Sequence, residues 1–259
     1  MEVLLFIIIM ILGFVLGSFY CCIGERIPQK ISVINPPSMC PKCKNKLKWY
    51  MNIPIISYLM LHGKCAYCKK EISPIYPFIE MLTAVLFVTA FVKYGFTQEF
   101  FLLLVLSSVL VITIVSDFLF YYISDRVIII GLIFIFLINF IYEGTSGLLF
   151  SFISAAVMFL IMLFVKILGD KIFKKESLGG GDIKLMALIG ATNGIIPSIC
   201  GIIISSMIAL PFALLVMRDK NKDIVPFGSF LILGAMIFIF FENNFVEILS
   251  VLGWWKNEW

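Results

Sequence analysis

Two aspartates in this chain could do chemistry together. Asp182 heads an apolar run in GGGDIKLMALIGA, residues 179–191, and Asp117 closes another in SDFLFYYISD, residues 116–125. A carboxylate inside a bilayer costs on the order of 3 kcal/mol, so each is a functional-site hypothesis by default. When two carboxyl groups share a site of low dielectric, repulsion raises one pKa and leaves one proton between them. The ionised member can take a proton from a water attacking an amide carbonyl, while its protonated partner donates to the carbonyl oxygen. Their apparent pKa values would belong to the pair. Read alone, Asp182 also suits a helix N-cap behind a glycine turn. Gly179, Gly180 and Gly181 offer backbone conformations closed to other residues, close approach for a peptide, and a hinge for the loop 169–181. Lys184 either sits solvated at the interface or favours an ionised acid nearby. Glu80 and Asp125 are the other acids of the apolar segments. Asp125, beside Arg126, reads as a helix-start or ion-paired acid.

A second constellation is CPKC and CAYC, placing Cys40, Cys43, Cys65 and Cys68 as paired C-x2-C turns. Each turn aims two sulfurs at one ion, so structural zinc is the first reading. Disulfides, redox use and free thiols are the alternatives. Four thiolates leave no open position for water, so the ion would hold a fold rather than do chemistry. The only histidine, His62, precedes Cys65 by three residues; it reads as a surface loop residue, with ligation as the alternative. Cys21, Cys22 and Cys200 fall in apolar runs and read as core.

The elements that must position these groups are membrane spans. Of 259 residues, 61% are hydrophobic and 14% charged, with mean hydropathy +1.08, against about 45–50% apolar and 25% charged in soluble domains. Apolar runs fall at 3–23, 75–93, 98–116, 126–142, 147–168, 199–217 and 226–242, with a shorter one at 183–193. The expected fold is an all-α polytopic membrane protein of eight transmembrane segments with a small cytoplasmic zinc-binding insert. Its expected parts are a first helix (1–23), a tetracysteine module (24–74), a membrane core carrying both aspartates (75–245) and an interfacial tail (246–259) with Trp254, Trp255 and Trp259. Eighteen of the twenty basic residues, all but Lys93 and Lys256, lie in alternate joints. Basic residues are retained in the cytoplasm, so the N-terminus is expected outside, with the insert and both aspartates at the cytoplasmic face. That parity holds only if the short run 183–193 crosses. No internal repeat is apparent. The lipid bilayer is an expected partner, and nucleic acid is not.

Beyond these residue patterns, the whole chain resembles the bacterial type IV prepilin peptidases, GxGD aspartic proteases of the inner membrane. The likeness rests on GSFYCCIGERIP (17–28), PPSMCPKCKNKLKWYMNIPIISYLMLHGKCAYC (36–68), YPFIE (76–80), SDFLFYYISD, GGGDIKLMALIGATNG (179–194) and VPFGSFLILGA (225–235), in the family's order. The resemblance implies removal of a prepilin or pseudopilin leader after a glycine at the cytoplasmic face. It further implies N-methylation of the new N-terminal residue with S-adenosylmethionine. By that likeness Asp117 and Asp182 are catalytic and the four cysteines form the family's tetracysteine motif. The chain departs from the family at Tyr20, Cys21, Cys22 and Glu25, and within SDFLFYYISD at Ser116 before Asp117 and Ser124 before Asp125. No methyl-donor pocket is legible, since no glycine-rich turn follows a strand. Two rival readings are a proton- or ion-coupled transporter, because paired intramembrane acids also serve as relays, and a non-catalytic scaffold whose zinc module docks a partner.

Overall fold

The computed structural model describes residues 2–216 and 226–251. The basic cluster Arg218, Lys220 and Lys222 and the tail tryptophans lie outside the described residues. Helices carry the architecture, and no strand occurs among the described residues, only two isolated bridges. The chain divides into two compact units, Met1–Val127 and Ile128–Trp259.

The first unit holds α1 (Glu2–Arg26), a short α2 (Ile56–Met60), α3 (Ile75–Tyr94) and α4 (Gln98–Phe120). Helices α1, α3 and α4 pack on one another. In lipid, apolar area alone does not drive such packing, and small residues that let backbones approach take over. The buried stripe of α1 is Ile9, Gly13, Gly17, Cys21 and Gly24. A Cβ at Gly13 would stand 2.5 Å from the Cα of Ala84, and one at Gly24 2.6 Å from the Cβ of Val115. The outer face of α1, with Val3, Leu4, Ile8, Ile11 and Val15, is exposed, as a lipid-facing surface requires. Helix α4 is the most enclosed of the apolar helices.

The second unit holds most of α5 (Asp125–Phe173), with α6 (Gly180–Asn193), α7 (Ile195–Val216) and α8 (Phe227–Val251). A straight helix of 49 residues would run roughly 74 Å, more than twice a bilayer core of about 30 Å. Gly144, at φ 69 and ψ −149, breaks α5 in two, inside the joint YEGTSG that separates two expected spans. Among the described residues, five helices are long and apolar enough to cross a membrane, with α5 counted once. Helix α6 has 14 residues and the apolar part of α8 runs only from Phe227 to Phe241, both short of the usual 20 or so. Helix α6 packs on α7 and α8. Its C-terminal end is pinned by α5, where Asn139 Nδ2 and Ser151 Oγ both donate to the Ala191 carbonyl, at 3.2 and 2.6 Å.

Candidate active site and metal centre

Asp117 occupies the last turn of α4 and is 5% exposed. The helix stops just after it because Tyr121 turns left-handed, φ 50 and ψ 41, and returns its N–H to the Asp117 carbonyl at 2.9 Å. Ser116 beside it is also buried. The acid therefore sits where an apolar helix gives way to a tight turn.

Asp182 belongs to the second unit and is 7% exposed. Helix α6 begins at Gly180, with Gly179 as its cap, so Asp182 lies within the first turn. The N-cap alternative for Asp182 is thereby corrected. The expectation that the glycines adopt conformations closed to other residues is corrected too. Gly179 is extended at φ −68 and ψ 144, Gly180 and Gly181 are helical, and none of the three has positive φ. What glycine supplies at 179 is room, since a Cβ there would lie 3.1 Å from Asp182 Oδ2. Asp182 Oδ1 is buried with no hydrogen-bond partner among the described residues, a group that needs a functional explanation. Lys184 is exposed; the basic side chain whose charge reaches Asp182 is Lys166 of α5.

The loop into α6 is tied down just ahead of the glycines. Ser177 donates to Asp170 Oδ1 through its N–H at 2.6 Å and its hydroxyl at 2.8 Å. Gly169 makes this possible, because a Cβ there would stand 2.5 Å from Ser177 Oγ. Of the loop expected to hinge over 169–181, the stretch 170–177 is thus anchored to α5.

Asp125 is exposed at the start of α5, as a helix-start acid should be. Glu80 is buried at 7% exposure but engaged, its Oε2 accepting the Ile55 N–H at 2.7 Å. Ile55 has φ 59 and ψ −51, a strained conformation for a β-branched residue. Glu80 therefore clamps a tight turn.

The four cysteines converge. Their sulfurs lie within 4.8 Å of one another, with Cys40 Sγ 4.0 Å from Cys68 Sγ. Zinc–sulfur bonds of about 2.3 Å in a tetrahedron place sulfurs roughly 3.8 Å apart, whereas a disulfide needs about 2.05 Å. The donor set fits zinc. His62 is exposed and stands outside the cluster. Two equivalent knuckles build the site. Cys40 N–H donates to Asn45 O and Lys44 N–H to Cys40 O; Cys65 N–H donates to Lys70 O and Lys69 N–H to Cys65 O, all between 2.9 and 3.0 Å. Lys44 and Lys69 both turn left-handed, at φ 59 and 57. SMCPKCKNKL (38–47) and GKCAYCKKEI (63–72) thus form a local repeat whose signal in the sequence is C-x2-C-K. Burial pushes the Cys40 thiol up, but the Cys43 and Lys42 N–H groups and the Cys65 and Cys43 thiols outweigh it and lower it to about 6.

Residues 11–94 match the bacterial peptidase A24 N-terminal domain, and residues 104–214 match the type IV leader peptidase family. The chain belongs to the type IV leader peptidase family. It is 33% identical to the prepilin leader peptidase/N-methyltransferase of Bacillus subtilis, over 93% of this chain and 96% of that one. It is 31% identical to the Neisseria gonorrhoeae protein of the same name, over 95% and 92% of the two chains. The Vibrio cholerae protein of that name is 35% identical, over 75% of this chain and 80% of its own. No solved structure matches the chain significantly. Within the leader peptidase segment fall both aspartates, and within the N-terminal segment all four cysteines.

Proposed function

We propose that this protein is an intramembrane aspartic endopeptidase that removes the leader of type IV prepilin-like proteins after a glycine, at the cytoplasmic face of the inner membrane. It then N-methylates the new N-terminal residue with S-adenosylmethionine. Asp117 and Asp182 are its catalytic pair. The observation that carries the reading is family membership along nearly the whole chain, joined to two acids that are both buried at the ends of apolar helices.

In the reaction, the ionised aspartate takes a proton from water as the water oxygen attacks the glycine carbonyl. The protonated aspartate gives its proton to the carbonyl oxygen, and the pair returns a proton to the leaving amine as the C–N bond breaks. The mechanism needs one shared proton, because two carboxyl groups that share a site of low dielectric cannot both ionise. Gly179 leaves space against Asp182, and the exposed Gly179 and Gly180 admit a peptide backbone. Zinc held by Cys40, Cys43, Cys65 and Cys68 would fix the two knuckles against each other.

The same proposal includes eight crossings with α6 counted as one, an N-terminus outside, and the four parts 1–23, 24–74, 75–245 and 246–259. Co-expression with one prepilin-like substrate tests the function, because product mass reads cleavage position and methyl addition together. Leader removal by wild type, with a methyl increment on the product, is expected. An intact leader on a substrate inserted in the same membrane would overturn the reading.

A further inference from the structure

The cysteine module carries an apolar face turned the wrong way for a chain in water. In α2, Ile56, Leu59 and Met60 stand at the i, i+3 and i+4 spacing of one helix face, and all three are exposed, Met60 at 74%. Ser57 and Tyr58 turn inward instead and line the cavity between the end of α1 and the knuckles. Just upstream, the single 3₁₀ turn Trp49–Asn52 packs on α2 and leaves Trp49 80% exposed. Tyr50 meets the Trp49 ring edge-on, with ring centres 5.9 Å apart. Lys48 Nζ lies 5.9 Å from the Tyr50 ring centre, and Lys46 and Lys48 are both exposed. A module folded for water would bury the apolar side of such a segment and show the serine.

The place of this face in the fold says what covers it. The Ile55 N–H, immediately before α2, donates to Glu80 Oε2 at 2.7 Å. Glu80 is the sixth residue of α3, roughly 8 Å along that helix from its first residue. Tyr76, in the first turn of α3, donates its hydroxyl to Glu25 Oε1 at 2.7 Å and so ties the head of α3 to the end of α1. Helix α2 is therefore pinned beside the first turns of a helix long and apolar enough to span a membrane, at the level where such a helix leaves water for lipid. Trp and Tyr gather at that level in membrane proteins. The charge agrees, because residues 24–74 carry nine basic residues against two acids, which suits the phosphates of anionic lipid. A second copy of the chain would instead bring Lys46 and Lys48 against their own kind, at a cost in repulsion.

We propose that this face is a membrane-interface anchor. Trp49, Ile56, Leu59 and Met60 enter the headgroup layer of the bilayer that α3 spans, while Lys46 and Lys48 meet the phosphates of anionic phospholipid. Apolar helix faces of this kind sink about 5–10 Å into the boundary between headgroups and acyl chains, the same depth at which Glu80 holds the Ile55 N–H. The proposal goes beyond the peptidase and methyltransferase reading and holds on whichever side of the membrane the module lies. It fixes the module to the bilayer at two places, the joined ends of α1 and α3 and the outer face of α2. The cysteine knuckles then cannot swing away from the membrane surface.

The test uses the full chain with Trp254→Phe, Trp255→Phe and Trp259→Phe, which leaves Trp49 as the one indole. It is reconstituted in vesicles of phosphatidylcholine alone and of phosphatidylcholine and phosphatidylglycerol in equal parts. Trp49 fluorescence is then quenched either by lipid brominated high on the acyl chain or by acrylamide in the water. Brominated lipid should quench strongly and acrylamide weakly, with lipid quenching severalfold stronger when phosphatidylglycerol is present. Lys46→Glu with Lys48→Glu should erase that dependence on phosphatidylglycerol. Leu59→Asp with Met60→Asp should cut lipid quenching severalfold and admit acrylamide; both positions are exposed, and a wild-type melting temperature checks that the fold survives. Ready quenching by acrylamide with none by lipid, in either vesicle, would overturn the proposal by leaving the face in water. Protection from both quenchers would overturn it too, since protein, such as a second copy, would then cover the indole. Lipid quenching that ignores phosphatidylglycerol would remove the anionic partner from it. Leader removal is assayed on the same preparations, so loss of the peptidase reading and loss of this one are separately visible.

Discussion

Single residues divide here into those that local pattern reveals and those that only packing reveals. Asp117, Asp182 and the four cysteines were legible because their signals are local: an acid beside an apolar run, and two short C-x2-C turns. The Tyr76–Glu25 and Glu80–Ile55 bonds were not, because each joins residues whose approach depends on the register of one helix against another part of the chain. Replacement of Glu80 by Ala strands the part-buried Ile55 N–H and should cost about 1 kcal/mol, seen as a lower melting temperature. An unchanged melting temperature would mean the turn at Ile55 holds itself. The thiols carry a pH prediction. Within the coupled thiol set, where Cys43 is pushed up to about 11, Cys40 is the member drawn down to about 6, below an ordinary thiol near 8.5. Its thiolate therefore contributes fully above that ordinary value, and the contribution is lost as pH falls through about 6. Protons also compete with zinc for thiolates, so zinc measured by atomic absorption should stand near one per chain at neutral pH and fall away below about 6.

Among the elements, α1 and the loop into α6 show how much of the positioning is done by very small groups. In the sequence, the GFVLG stretch of α1, residues 13–17, is simply part of an apolar run of spanning length. The structure gives it a second role, since its glycines let α1 meet α3 at backbone distance. Gly13→Leu drives a side chain into Ala84 and should cost at least about 1–3 kcal/mol, lowering the melting temperature while α1 still inserts. A silent substitution would show that α1 packs less closely than described. In the loop, Asp170 and Ser177 form an anchor seven residues long that sequence could not announce, because a serine and an aspartate at that spacing are common anywhere. Asp170→Ala should leave expression and insertion intact and slow leader removal, because the glycines that follow lose a fixed origin. Equal turnover would mean that 178–181 is placed by α6 alone.

At the scale of the molecule, hydropathy foretold the helical architecture well: every expected apolar run among the described residues became helix, and Gly144 breaks α5 inside the joint foreseen there. Crossings are a different matter from helices. Whether α6 crosses decides on which face the last basic cluster lies, and 14 residues are too few for length alone to answer. Its C-terminal end is anchored by Asn139 and Ser151, which are polar groups suited to a helix end held within protein. Reporter fusions within 171–176 and at Gly194 should therefore report opposite faces, the first cytoplasmic. The same face for both would remove α6 as a crossing and reverse everything after it.

The pair of aspartates is tested most directly by measuring leader-cleavage rates for Asp117→Asn, Asp182→Asn and the double variant in matched membranes. Residues that act as one unit are grossly non-additive, so each single change should abolish turnover, with the double variant no slower than either. Substantial cleavage by one single variant, or losses that simply multiply in the double, would contradict a shared catalytic proton.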